Sequence, residues 1–275
     1  MRTAAELVAA DSMQVYRGLP ILTNQPATAT HLVGIWEPIH EASLVEYQRL
    51  AHDVIDAILA GGRTPLVVGG TGLYLRAALA HLDVPPAPQA GARERWERLY
   101  DRLGPQRTHA ALVERDPAAA AAVHPNDRRR VVRALELAEA GHSLRPREDQ
   151  LWALSTRHAT LILGLDVPRD ELARRIEERT QTMFEAGAQE EARRALARPL
   201  STTARQVIGL REAAELPRAE AIEAIITRTR RYAAYQRKWM RRVPGLVMVD
   251  ADRPSGEIAD DIVSLAGTRE HLPRQ

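Results

Sequence analysis

The feature that most narrows the possible folds is a short apolar run that ends in a cluster of glycines. Thr64-Pro65-Leu66-Val67-Val68 leads straight into Gly69-Gly70-Thr71-Gly72-Leu73-Tyr74. The run is too short for a stable helix and is bounded by turn residues, so it reads as a buried strand. The glycines then form a tight turn, and a helix follows to about Ala80. Strand, glycine turn and helix in this order form the unit of a doubly wound α/β sheet, and the turn is the usual place for a ligand. Glu6 to Asp11 is a similar run that ends in an acid, and Ala159 to Asp166 and Leu246 to Val249 read as two more strands.

Between these runs the chain changes character near Asp83. Val84 to Pro88 is proline-rich, and arginine and alanine dominate from there to about Gln150 in wholly helical patterns. We read an all-helical domain inserted into the α/β core. The core then covers 1–82 and 158–255, the insert 83–157, and a C-terminal tail 256–275, loose from about Arg269. Ser43 can cap a helix from Leu44 to Leu59 that Gly61 and Gly62 end. Long helices are expected from about Asp170 to Ala197 and from about Ala219 to Arg242.

With 45% hydrophobic residues the 275-residue chain can bury a core, built on Ala, Leu, Val and Ile because aromatics are scarce. There is no cysteine, which excludes disulfides and thiolate metal sites and fits a cytoplasmic setting. No apolar run reaches the length of a membrane span. Glu6 and Asp11 interrupt the first apolar stretch, so it is no signal peptide. Arginine supplies almost all the cations, and Lys238 is the one lysine. That bias suits phosphate recognition; it is also what a skewed base composition produces.

Several residues invite chemistry, each with a plainer alternative. Asp11, at the carboxyl end of a strand, can accept a proton or position a metal-bound water, or simply cap the next turn. Thr71 adds a hydroxyl to a turn whose backbone N–H groups can approach phosphate, or closes a tight connection. Asn126 or Asp127 can cap a helix on which Arg129 and Arg133 share a face, a grip for a nucleic-acid backbone or a solvated charge run. Arg175 and Arg179, one turn apart, can clamp a diphosphate or bridge neighbouring acids. The last long helix combines Arg228, Arg230, Arg231, Arg237, Lys238, Arg241 and Arg242 with Tyr232, Tyr235 and Trp239. Arginine beside aromatics suits nucleic acid, while the aromatic stripe can also be core. The nine histidines show no metal-ligand spacing.

Together these segments resemble the tRNA dimethylallyltransferases, also called tRNA isopentenyltransferases. The resemblance rests on Asp11-Ser12-Met13-Gln14-Val15-Tyr16-Arg17-Gly18 and on Gly69 to Tyr74. It continues in Asn126-Asp127 with Arg130 and Val132-Arg133-Ala134-Leu135-Glu136, in Gln206 to Glu212, and in Arg237 to Arg242. It implies a P-loop-NTPase-like parallel sheet flanked by helices, with an all-helical tRNA-binding insert. It also implies transfer of a dimethylallyl group from dimethylallyl diphosphate to the N6 amine of the adenosine 3′ of the anticodon. By the resemblance Asp11 is the base, Thr71 holds substrate, and Arg175 or Arg179 with Mg²⁺ meets the leaving diphosphate, Asp11 being the candidate ligand. The tRNA anticodon stem-loop would meet Asp11, Ser12, Met13, Gln14, Thr71, Arg93, Arg129, Arg130, Val131, Val132 and Arg133. It would also meet Gln206, Val207, Ile208, Gly209, Leu210, Arg211, Gln236, Arg237, Lys238, Trp239 and Arg241.

The sequence departs from this family in one large respect. Members carry a first strand and a Gly-x-x-x-x-Gly-Lys-Ser/Thr loop that cradles the diphosphate, and no such segment occurs here. A mis-assigned start codon is the favoured explanation and a degenerate paralogue the other. The loss of a central strand should expose apolar faces of its neighbours. Thr23-Asn24-Gln25-Pro26 stands for a Gly-Thr-Ala-Lys-Pro-like run, and Leu210 for a usual tyrosine. The competing functions are a non-catalytic tRNA-binding protein and a prenyltransferase for free adenine nucleotides; a monomer is expected.

Overall fold

The computed structural model describes residues 4–84, 89, 91–144 and 155–268. Residues 85–88, 145–154 and the tail from Arg269 lie outside them, and with them part of the proline-rich stretch, the end of the insert and the loose tail read above. The chain divides into two compact units, Met1–His81 with Trp152–Gln275, and Leu82–Leu151.

In the first unit β1 (Ala5–Ala9) lies between β2 (Thr30–His31) and β3 (Thr64–Val68), all parallel. The register of β1 on β3 runs from Ala5 opposite Thr64 to Ala9 opposite Val68. A second parallel pair joins β4 (Ile162–Asp166) to β5 (Leu246–Asp250). Among the described residues β3 and β4 each pair on one edge only. The strand 64–68 is therefore not buried as its apolar run suggests: Leu66 is 43% exposed and Val68 58%. Leu165 and Met248 are exposed on the second pair. A hydrophobic run specifies a strand that could be covered on both faces; whether it is covered depends on neighbours.

Helix α1 (Leu44–Ala60) starts where the Ser43 hydroxyl accepts the Glu46 N–H at 3.1 Å. It buries Tyr47, Ala51, Ile55 and Ile58, one stripe at helical spacing. The Tyr47 hydroxyl donates to the Ala9 carbonyl at 2.9 Å and fixes α1 on β1. Its ring meets Tyr74 of α2 (Gly72–Leu79), centroids 4.3 Å apart. The single helix expected to run to Ala197 is two, α7 (Arg169–Glu185) and α8 (Ala188–Leu196). Gly187 divides them at φ 97°, a conformation open to glycine and costly to other residues. Buried Glu191 of α8 accepts the backbone N–H groups of Ile21 and Leu22, tying down the loop after β1. Helices α9 (Leu210–Glu215) and α10 (Arg218–Met240) pack together, and α10 also packs on α7. Helix α11 (Ser255–Thr268) occupies most of what reads in the sequence as a tail.

The second unit is helical: α3 (Ala92–Leu103), α4 (Pro105–Arg115), α5 (Pro117–Ala122) and α6 (Arg128–Glu139). Trp96, Tyr100, Leu112, Val131 and Leu135 form its core. Asp127 is the cap of α6, accepting the Arg130 N–H at 3.1 Å. Among the described residues no helix of either unit is long and apolar enough to cross a membrane.

Candidate active site

A cavity of about 730 Å³ opens in the first unit, between the loop after β1, the glycine turn after β3, and helices α7 and α10. Asp11, Ser12, Met13 and Gln14 line one side, Gly70 the turn, and Leu172, Ile176, Arg179 and Met183 the α7 side. Gln206, Val207 and Ile208 precede α9; Arg228, Arg231, Tyr232 and Gln236 come from α10. Asp11 is the one carboxylate among the lining residues.

Asp11 performs the plainer role without being used up by it. Its Oδ1 accepts the N–H groups of Met13 at 2.8 Å and Gln14 at 3.3 Å, an Asx turn that reverses the chain beyond β1. That turn brings Ser12 to Thr71: the Thr71 hydroxyl accepts the Ser12 N–H at 3.3 Å and lies 3.4 Å from the Ser12 hydroxyl. The Tyr232 hydroxyl stands 3.4 Å from Thr71 Oγ1 and donates to the Gly70 carbonyl at 3.4 Å, a carbonyl that also accepts Gln236 Nε2–H at 3.0 Å. Burial pushes the Tyr232 pKa up; the Thr71 hydrogen bond opposes this and the Asp11 charge adds to it.

The glycine turn is shaped by contact with α10. A Cβ at Gly72 would fall inside the Trp239 indole, and one at Gly70 would strike the Gln236 amide. The close approach of helix to turn, rather than an unusual φ, demands glycine at position 72, where the rigid indole blocks a side chain; at position 70 the obstacle is the movable end of Gln236.

The two α7 arginines part company. Arg179 lines the cavity; desolvation lowers its pKa while Asp11 holds it up, so the two charges interact. Arg175 does not line it. Its Nε donates to Glu171 at 2.5 Å and its Nη2 to Asp252 at 3.2 Å. The spacing that suggested a paired clamp holds on the helix, but Glu171, one turn earlier, captures Arg175 first. The other lining cations divide likewise: Arg228 is paired with Glu212, whereas Arg231 has no carboxylate partner among the described residues.

Of the remaining candidates, Gly209 takes φ 91° and lies against Ile225, so it shapes the approach to α9. Leu210 is buried, Arg211 pairs with Glu215, and Arg237 is held by Asp166 and the Val167 carbonyl. Lys238 and Arg241 are exposed at the end of α10. In the second unit Val131 and Val132 are core residues, so their side chains cannot meet a ligand. Arg93 and Arg133 both hold buried Glu136, at 2.9 and 3.0 Å, which leaves Arg129 and Arg130 as the exposed cations of that group. Sequence reasoning did not assign Tyr232 or Arg228 to the site. Tyr232 sat in the aromatic stripe of the last helix, and only the contact with Thr71 tells it from core.

A parallel α/β unit with a carboxylate beyond one strand, a hydroxyl-bearing glycine turn beyond the next and an arginine-lined cavity is a ligand site at the carboxyl ends of the strands, suited to an anionic substrate. The chain belongs to the IPP transferase family, whose sequence profile it matches over residues 14–243. It is 38% identical to a tRNA dimethylallyltransferase of Streptomyces coelicolor over 99% of this chain and 86% of that one. It is 40% identical to one from Anaeromyxobacter dehalogenans, over 90% of this chain and 85% of that one. The structure matches a full-length tRNA isopentenylpyrophosphate transferase of Bacillus halodurans with TM-score 0.66 at 31% identity, covering 97% and 88% of the two chains. A eukaryotic dimethylallyltransferase acting on tRNA shares the fold, with TM-score 0.71 at 24% identity over 95% of this chain and 73% of that one.

Proposed function

We propose that this protein transfers a dimethylallyl group from dimethylallyl diphosphate to the N6 amine of the adenosine 3′ of a tRNA anticodon. The observation that carries the reading is that Asp11 and Arg179 line one cavity, with the Thr71 hydroxyl bonded to its lining residues Ser12 and Tyr232, in a chain whose relatives are tRNA dimethylallyltransferases. The new bond joins N6 to the first carbon of the prenyl group. The bond from that carbon to oxygen breaks, and its electron pair leaves with the diphosphate. The N6 proton goes to Asp11, whose Oδ1 is occupied by the Asx turn and whose other oxygen is the acceptor. The apolar side chains of Leu172, Ile176, Met183 and Ile208 suit the prenyl group and keep water from it. Arg179 faces the charge that develops on the leaving group.

Mg²⁺ fits this donor set in one form. Among the described residues no three His, Cys, Asp or Glu side chains gather as a metal site. Magnesium is commonly held by one or two carboxylates with substrate phosphates and water; here the diphosphate and water would supply the ligands, with Asp11 reaching the ion through a metal-bound water, because its free oxygen is the proton acceptor. When bound it would neutralise charge on the diphosphate.

The second reading, tRNA binding without transfer, rests on the cations of the cavity: Arg228 is already paired with Glu212, which leaves Arg179 and Arg231 to meet a diphosphate. One experiment tests both. Asp11→Asn keeps the Oδ1 acceptor and the turn but cannot take the proton. Single-turnover transfer should fall about 10²-fold or more with little change in tRNA affinity. Equal rates would make Asp11 structural; transfer absent from the unaltered chain beside intact tRNA binding would select the second reading.

A further inference from the structure

One exposed aromatic side chain adjoins the site without lining it. Tyr235 of α10 is 61% exposed. Its ring stacks on that of Tyr232, centroids 6.5 Å apart and planes 21° from parallel. Tyr232 is in turn fixed by Thr71 and the Gly70 carbonyl. Tyr235 therefore continues a column that begins at the glycine turn, and its outer face is open.

The charges around that face indicate what it meets. Arg231 lies four residues before Tyr235 and Lys238 three after, so both neighbour it on one helix face. Both are exposed and neither has a carboxylate partner among the described residues. Beyond Glu223 the helix has no acid to its end at Met240. An apolar protein partner would gain the ring but would leave the cations unpaired, whereas single-stranded nucleic acid offers a planar base with a phosphate on either side.

We propose that Tyr235 is a stacking platform for an unpaired nucleobase next to the target adenosine, with Arg231 and Lys238 meeting the phosphates that flank it. This rests on the reading of tRNA as substrate and adds a specific contact to it. The place of Tyr235 in the column ties the seat of that base to the Thr71 hydroxyl, and so sets the distance from the stacked base to the reaction centre.

The test uses the full chain and an anticodon stem-loop RNA, with 2-aminopurine placed in turn at each loop position flanking the target. Binding should quench the fluorophore strongly at one position, and Tyr235→Ala should abolish that quench. The same substitution should weaken binding about 5- to 100-fold, the weight of one stacked base, without changing the slope of log affinity against log salt. Tyr235→Phe should restore both quench and affinity. Lys238→Ala should instead lower the slope by about 0.7 to 0.9. Tyr235→Leu binding as tightly as the unaltered chain would overturn stacking in favour of apolar cover. An unchanged Tyr235→Ala would overturn the platform alone, while failure of the unaltered chain to bind the RNA would overturn the tRNA reading with it.

Discussion

On α7, Arg174 pairs with both Glu171 and Glu178, and Arg175 with Glu171 and Asp252. On α10, Arg231 and Lys238, and Arg241 just beyond the helix, have no carboxylate partner among the described residues. The two helices pack together and both are rich in arginine. They differ in their acids: α7 intersperses Asp170, Glu171, Glu177 and Glu178 with its cations, whereas the acids of α10 end at Glu223. Where acids recur at three- and four-residue spacing the cations are spent on the helix itself. Where they are absent, pairing falls to acids of other elements: Arg228, Arg230 and Arg237 meet Glu212, Glu177 and Asp166, while Arg231, Lys238 and Arg241 are left for a ligand. Arg179 of α7 escapes this pairing: it reaches the cavity and interacts with Asp11.

The largest expected effect separates the two α7 arginines. Arg179→Ala should lower single-turnover prenyl transfer about 10²- to 10³-fold, the weight of one preorganised group at a developing charge. Arg175→Ala should stay within about threefold, as expected for an exposed ion pair. Equal losses would show that Arg175 swings into the cavity when substrate binds. Next comes the Tyr232 hydroxyl. Tyr232→Phe keeps the ring and the stack with Tyr235 but removes the contact with Thr71, and transfer should fall about 2- to 10-fold, the weight of one hydrogen bond. A rate equal to that of the unaltered chain would reduce Tyr232 to packing.

The same contrast has a salt signature. Substituting Arg241 by alanine should reduce the slope of log tRNA affinity against log salt by about 0.7 to 0.9, and substituting Arg174 should leave it unchanged. The smallest effect concerns pH. Hydrogen bonds from Arg174 and then Arg175 hold the Glu171 pKa down at about 2. A depressed carboxylate adds stability above its ordinary value of 4.5 and loses it as pH falls through the folded value. Melting temperature should therefore drop between about pH 4.5 and 2, and Glu171→Gln should flatten part of that drop. An identical profile would show that the α7 pairs contribute nothing to stability.

Asp11 and the glycine turn were legible because local chemistry dictates them. An acid after a short apolar run is at a strand end, and a glycine cluster followed by Leu73-Tyr74 is a turn into a helix. The Arg175–Arg179 pair stayed open between a diphosphate clamp and bridges to neighbouring acids, because spacing places two side chains on one face without saying which acid reaches one of them first. The break at Gly187 is visible in hindsight as a glycine in a helical run, but a run of helix formers on both sides outweighs one glycine in any local reading.

The sequence by itself determined the four apolar strand runs that became β1, β3, β4 and β5, the helix capped by Ser43, the helical second unit and the acid-free stretch of α10, because each depends on neighbours within a turn or two. Tertiary structure alone decided that Asp11, Arg179 and Tyr232 line one cavity with Thr71 bonded to its wall, that Val131 and Val132 are core, and that Leu66 and Val68 face solvent. Those outcomes depend on contacts between segments far apart in the chain, 161 residues between Thr71 and Tyr232, and side-chain periodicity carries no information over that range.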